Sequence, residues 1–231
     1  MNPHSSNAVP VVFQVLIFGI FVILAIWSAV RRSRQAQSRS RDLQMLAMQL
    51  GFTFQQNRDE GFATGWGFLS KLAQGSKRYA FNLMQGTVAN NRVFIFDYHY
   101  QTGSGKSEET HLCTYLMLIE PEASFSPVLI EPENLLSRVA DALGFGDIKF
   151  ESAEFSRLYR VRSSDKKFAY DVCNPQMIVY LLENQGLKLE INGPVILLAF
   201  ENQLSASAIN DNLNRLLEIR SLLPDYLFTK A

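Results

Sequence analysis

The first thirty residues of this 231-residue chain contain no Asp, Glu, Lys or Arg. Cysteine is scarce as well: Cys113 and Cys173 stand far apart, in no metal or redox spacing. That excludes a disulfide scaffold, which packs more cysteines into a shorter secreted chain, and suits two buried thiols in a reducing compartment. No Asn-x-Ser/Thr glycosylation sequence occurs. Neither sign of charge is in excess, with 22 basic and 22 acidic side chains. Five of the basic ones, Arg31, Arg32, Arg34, Arg39 and Arg41, crowd into an acid-free stretch over 31–41; the rest of the chain sets 17 basic against 22 acidic, a net of −5. A mildly acidic body lacks the basic face that nucleic acid requires, so nucleic acid is excluded as a partner. With 47% apolar and 19% charged residues, disorder is excluded too.

What the chain does have is one long apolar run. Val11 to Val30 reads VVFQVLIFGIFVILAIWSAV, twenty residues without a charge. As a helix at ~1.5 Å per residue it covers ~30 Å, the hydrocarbon thickness of a bilayer. Gln14 and Ser28 lie near its ends, and Trp27 lies at the level where an amphipathic ring prefers the headgroups. A cleaved signal peptide would need a basic n-region and small residues before the cut. No Lys or Arg precedes Val11, and the run ends Ile26-Trp27-Ser28-Ala29. The expectation is an uncleaved transmembrane helix at 11–30. The arginines that follow place 31–231 in the cytoplasm and residues 1–10 outside, as a short extracytoplasmic tail. Localisation is thus a cell inner membrane, crossed once, with the bilayer itself as the first partner.

Beyond the anchor, residues 31–51 read as a basic juxtamembrane segment and connecting helix. Leu43, Leu46, Ala47 and Leu50 share one helical face, and Gly51 stands where a left-handed cap belongs. Residues 52–231 read as a cytoplasmic α+β domain. Phe52-Thr53-Phe54 opens a strand, and 57–78 are partly irregular. Strands Phe81–Val88 and Arg92–Tyr100 flank a turn at Asn90-Asn91, and a third strand near Glu109–Glu120 completes an antiparallel meander. Helices are expected over Glu133–Leu143, over Pro175–Gln185 with Asn174 as N-cap, and from Ser207 to Leu223. A short strand lies at Tyr159–Val161. Asn192-Gly193 turns Leu187–Ile191 into Val195–Phe200 as a hairpin. Antiparallel pairs with helices set between them describe an α+β domain rather than a doubly wound sheet.

Chemistry is harder to find. Gly105-Lys106-Ser107 is the tail of a phosphate loop, but Tyr100 occupies the position of the first glycine, and the loop joins two strands instead of a strand and a helix. Glu120, Glu122, Glu131 and Glu133 cluster around two prolines, where carboxylates serve as solvated caps more often than as an acid–base pair. The sharpest constellation is Asp97, His99, His111 and Cys113. If the loop is centred on Gly105, His99 faces His111 and Asp97 faces Cys113 on one side of the sheet, a plausible zinc-ligand set. A one-residue slip would separate the histidines, and the set lacks a close sequence pair of ligands. No catalytic residue and no cofactor is expected.

Phe155-Ser156-Arg157-Leu158-Tyr159-Arg160-Val161, then Ser164-Asp165 and Asn174-Pro175, together with Leu50-Gly51-Phe52 and Phe96-Asp97-Tyr98, resemble segments of bacterial membrane-anchored domains of unknown function. Some of those accompany LemA-type membrane proteins. The resemblance covers about two-thirds of the chain and implies a bacterial envelope setting, with no catalytic residues. Two functions from different classes follow as expectations. The first is a non-enzymatic interaction or regulatory module at the inner face of the membrane, its partner another membrane or cytoplasmic protein. The second is a membrane-tethered, metal-dependent hydrolase on the His99/His111 sheet face.

Overall fold

The structure is a computed structural model and describes residues 11–133 and 146–228. The chain divides between Asp42 and Leu43 into two compact units. The first holds most of helix α1 (Val11–Leu50), which runs without a break through what the sequence divides into an anchor and a connecting helix. Among the described residues it is the one helix long and apolar enough to cross a membrane. Its large apolar side chains from Phe13 to Val30 are exposed.

The second unit begins with the last turns of α1 and is built on one antiparallel sheet of nine strands. In chain order these are β1 (Thr53–Gln55), β2 (Ser76–Val88), β3 (Asn91–Thr102), β4 (Glu109–Ile119), β5 (Phe125–Pro132), β6 (Asp147–Ile148), β7 (Tyr159–Ser163), β8 (Lys188–Gly193) and β9 (Val195–Ala199). Their spatial order is β1-β2-β3-β4-β9-β8-β5-β7-β6. The meander and the late hairpin are both present, but they are joined edge to edge between β4 and β9, so the separate pairs are parts of one sheet. The α+β class holds.

The helices are α2 (Glu60–Gly65), α3 (Ala153–Leu158), α4 (Lys166–Val172), α5 (Pro175–Glu183) and α6 (Ala206–Leu222). Asn174 caps α5 by accepting from the Met177 N–H at 3.0 Å, with Pro175 at the first position. Asp165, Ser152 and Ser205 cap α4, α3 and α6 in the same way, each satisfying an N–H that the helix leaves unpaired. The expected helix over Glu133–Leu143 lies, beyond Glu133, outside the described residues.

One sheet face carries the larger core. Val93, Ile95, Leu116, Leu118, Ile196, Leu198, Leu189, Ile191, Val128 and Ile130 meet Leu43, Leu46 and Ala47 of α1 and the buried stripes of α4, α5 and α6. On α6 that stripe is Ile209, Leu213, Leu216 and Ile219, at helical spacing, each contributing ~1.5–3 kcal/mol of burial. Gly86 is required where Phe52 crosses β2, because a Cβ there would lie 2.0 Å from the Phe52 ring.

Two turns of the meander differ from the sequence reading by a residue, and so does the late hairpin, where Asn192 pairs with Val195 and Gly193-Pro194 make the turn. The β2–β3 turn is centred on Ala89-Asn90, both at positive φ (48° and 65°), and Val88 pairs with Asn91. Asn90 takes the left-handed conformation its short polar side chain tolerates, and alanine follows the turn. Between β3 and β4 the last pair is Thr102 with Glu109, closed by a single 3-10 turn over Gly105–Ser107.

Candidate functional site

That second turn decides the fate of the metal candidates. With Thr102 opposite Glu109, His99 pairs with Leu112, Tyr100 with His111, Tyr98 with Cys113 and Asp97 with Thr114. The register centred on Gly105 is therefore off by one. A one-residue slip puts partners on opposite faces: Asp97 and His99 belong to the face of Val93 and Ile95, His111 and Cys113 to the face of Tyr98 and Tyr100. Among the described residues no three His, Cys, Asp or Glu side chains gather closely enough to hold a metal ion.

Each candidate has other work. His99 stacks on Tyr79 at 4.4 Å, with its Nδ1 2.9 Å from the Lys77 carbonyl oxygen. A carbonyl only accepts, so Nδ1 carries a proton. His111 stacks on Tyr100 at 4.6 Å and lies 2.8 Å from the Thr102 hydroxyl. The Cys113 thiol is pushed up to about 12, first by burial, and burial also raises Cys173, so neither thiol offers a thiolate at neutral pH. Asp97 is buried and accepts from Asn82 Nδ2, Gln203 Nε2 and Thr114 Oγ1, each at 2.9 Å. Asn82 reaches it because β2 is irregular between Phe81 and Met84 and holds Asn82 at φ 49°. Thr114 Oγ1 also accepts from the Leu204 N–H at 3.0 Å, so the network ties the chain after β9 to the sheet.

The other face holds a second polar cluster that the sequence did not announce. The irregular segment 66–73 crosses it as a strap. Leu69 and Leu72 point into a second core with Phe94, Phe96, Tyr98, Tyr115, Met117 and Leu197. The residues between them meet charge: Glu190 on β8 accepts from the Ser70 N–H at 2.6 Å and the Lys71 N–H at 3.0 Å, and the Lys71 ammonium pairs with Glu131 on β5. Tyr98 Oη donates to the Leu72 carbonyl at 2.6 Å. Burial raises the pKa of Glu190 despite its two N–H donors. The alternation Lys188-Leu189-Glu190-Ile191 reads as an exposed polar face with a buried apolar one, and nothing local shows the strap that covers the former.

Three of the four carboxylates of the acidic cluster go into separate ion pairs. Glu120 meets Arg220 at 2.7 Å, Glu133 meets Arg160 at 2.7 Å, and Glu131 meets Lys71.

A groove of about 630 Å³ opens where α3 and α5 end beside the ends of β5, β8 and β9. Leu158, Phe200 and Leu204 give it apolar surface, and Lys188 pairs with Glu201 within it.

No protein-family model and no curated protein matches the chain. Among solved structures it is similar to the crystal structure of the mycobacterial trehalose monomycolate transport factor A, TtfA, with a TM-score of 0.61 at 15% identity. The match covers 80% of this chain and 96% of that one. At that identity the likeness is one of fold. Together with the apolar helix, it fits a membrane-associated protein.

Proposed function

We propose that this chain is a single-pass protein of a bacterial inner membrane, anchored by residues 11–30. Its α+β domain stands in the cytoplasm as a non-enzymatic module that engages another protein of a membrane process. The observation that carries the reading is the charge-free apolar run, exposed along its length and followed by five arginines within eleven residues. The shared fold with a transport factor supports an accessory role at the membrane. The dispersal of Asp97, His99, His111 and Cys113 over two sheet faces favours binding over metal-assisted hydrolysis. The kinship with LemA-associated domains belongs to the same proposal.

The test is a topology reporter. A fusion after Ala231 to an enzyme active only in the periplasm is expected to stay silent, and the same fusion to a cytoplasmic fluorescent reporter to shine. Strong periplasmic activity would overturn the orientation. Crosslinking in intact membranes, followed by capture of the chain, is expected to return a membrane or cytoplasmic protein in a stoichiometric band.

A further inference from the structure

The five arginines that follow the apolar run are not equivalent. At ~3.6 residues per turn, Arg31 and Arg34 fall on the helix face of Trp27, while Arg32 and Arg39 fall on the other side of α1. Depth separates them as well. With α1 upright and Val30 at the hydrocarbon edge, Arg31 stands ~1.5 Å and Arg34 ~6 Å past that edge, at ~1.5 Å per residue. Each headgroup layer of a bilayer is roughly 5–8 Å thick, so both lie at the level of the lipid phosphates. Arg39 and Arg41 stand ~13–17 Å past Val30, beyond that layer.

Trp27, Val30, Arg31, Arg34, Gln35 and Ser38 line a hollow of about 510 Å³ on the surface of this helix. The Arg31 guanidinium lies over the exposed Trp27 ring at 5.4 Å. Stacking holds a guanidinium by its flat side and leaves its N–H edge facing outward, where it grips a phosphate with two parallel hydrogen bonds. Arg34, one turn on, presents a second fork, and the exposed Gln35 amide adds two donors. No carboxylate of the preceding sequence competes, since the first acid of the chain is Asp42, two turns beyond Arg34. At this depth the phosphates within reach belong to lipids, and a soluble polyanion would have to enter their layer against like charge.

We infer that Trp27, Arg31, Arg34 and Gln35 form a binding site for the phosphate of an anionic phospholipid, one lipid held against one face of α1. The inference rests on the membrane reading in one respect, that residues 11–30 cross a bilayer, and deepens it by naming a lipid class and the side chains that select it. Arginines that only set orientation act by summed charge, so lysine serves as well and the helix face is indifferent. A phosphate site depends on two particular forks.

The experiment places the full chain in nanodiscs made from equal parts of phosphatidylglycerol and phosphatidylcholine, and counts the lipid that stays bound by native mass spectrometry of the released protein. One retained phosphatidylglycerol is expected, enriched roughly ten- to thirtyfold over phosphatidylcholine, the effect of two basic residues at the phosphate level. Arg31→Lys with Arg34→Lys keeps every charge, and so leaves orientation alone, but removes both forks; the enrichment is expected to fall about tenfold. Arg32→Lys with Arg39→Lys, on the other face, is expected to keep it. Trp27→Leu, which takes away the ring under Arg31, is expected to lower it about threefold. An equal fall in both lysine pairs, an undiminished enrichment in the first, or displacement of the lipid by inorganic phosphate at matched concentration would each overturn the inference. Both leaflets of a disc have one composition, so the readout does not depend on which way the domain faces. A chain that fails to enter the discs overturns the anchor and the site together; one that enters without enrichment overturns the site alone.

Discussion

The strap-side face of the sheet is made of two unlike halves. Across β3, β4 and β9 it is aromatic and aliphatic: Phe94, Phe96, Tyr98, Cys113, Tyr115, Met117 and Leu197 form a close-packed layer under Leu69 and Leu72. Across β8, β5 and β7 it is ionic. Glu190, Leu129 and Arg162 lie in one row, and Glu131 stands opposite Arg160 in the register of the next. Glu131, Glu190 and Arg162 are buried all the same. One strap serves both halves by alternation, sending Leu69 and Leu72 to one and Ser70 and Lys71 to the other. The aromatic half holds the strap by area and tolerates small changes of shape. The ionic half holds it by partner identity, and fails when one partner is removed.

Breaking the ionic half should cost most. Lys71→Met leaves Glu131 buried without its ammonium, and a loss of about 3–5 kcal/mol in denaturant unfolding is expected. The double substitution Lys71→Met with Glu131→Leu should recover most of that loss, because two apolar residues fill the site without an orphaned charge. If the double substitution is as unstable as the single, the contrast between the halves fails.

A milder test falls on the aromatic half. Tyr98→Phe keeps the ring and removes the hydroxyl that donates to Leu72, so about 1–3 kcal/mol is expected, since the carbonyl keeps only the longer 3.5 Å bond from Arg78 Nη1. A cost as large as that of Lys71→Met would show that this half, too, depends on single partners.

Glu190 sharpens the comparison through pH. Burial raises its carboxyl above the ordinary 4.5, so the folded state holds its proton more tightly than the unfolded chain does. Its contribution is then fully present below about 4.5 and is lost as pH rises through the raised value. Relative to Glu190→Gln, the native protein should gain stability as pH falls from neutral toward 4.5. Parallel curves of melting temperature against pH for the two proteins would remove Glu190 from the account.

The smallest effect is expected at the histidines. Replacing His99 and His111 together by Gln should cost at most ~1–2 kcal/mol, and chelator should leave the melting temperature unchanged. A chelator-induced drop of many degrees, absent in the double variant, would restore a metal site that the register divides between two faces.

These contrasts also mark what the sequence could and could not disclose. Local signals carried through: the apolar run at 11–30, the Asn174-Pro175 cap, the late hairpin (though it turns at Gly193-Pro194, one residue on) and the stripe of α6 each depend on neighbours within a few residues. The β3–β4 register did not, because the loop after Thr102 spends one more residue than a symmetric turn and no residue type announces it. The short helices α3 and α4 were missed, since six or seven residues give too little periodicity; their caps at Ser152 and Asp165 were the available signal. Glu190 was invisible as a clamp because its donors come from Ser70 and Lys71, 120 and 119 residues away in the chain. The groove, likewise, is assembled from strand ends that only the long-range pairing brings together.

The seam between β4 and β9 has a consequence for how the protein is made. Ala199 leaves the ribosome 84 residues after its partner Tyr115. At ~5–20 residues per second, that is an interval of about 4–17 s. Throughout it the nascent meander carries an apolar, unpaired border from Tyr115 to Ile119, the sort of border that templates association with another chain. If the chain is tethered by its N-terminus as proposed, that border forms beside the bilayer and stays open there until β9 arrives to close it.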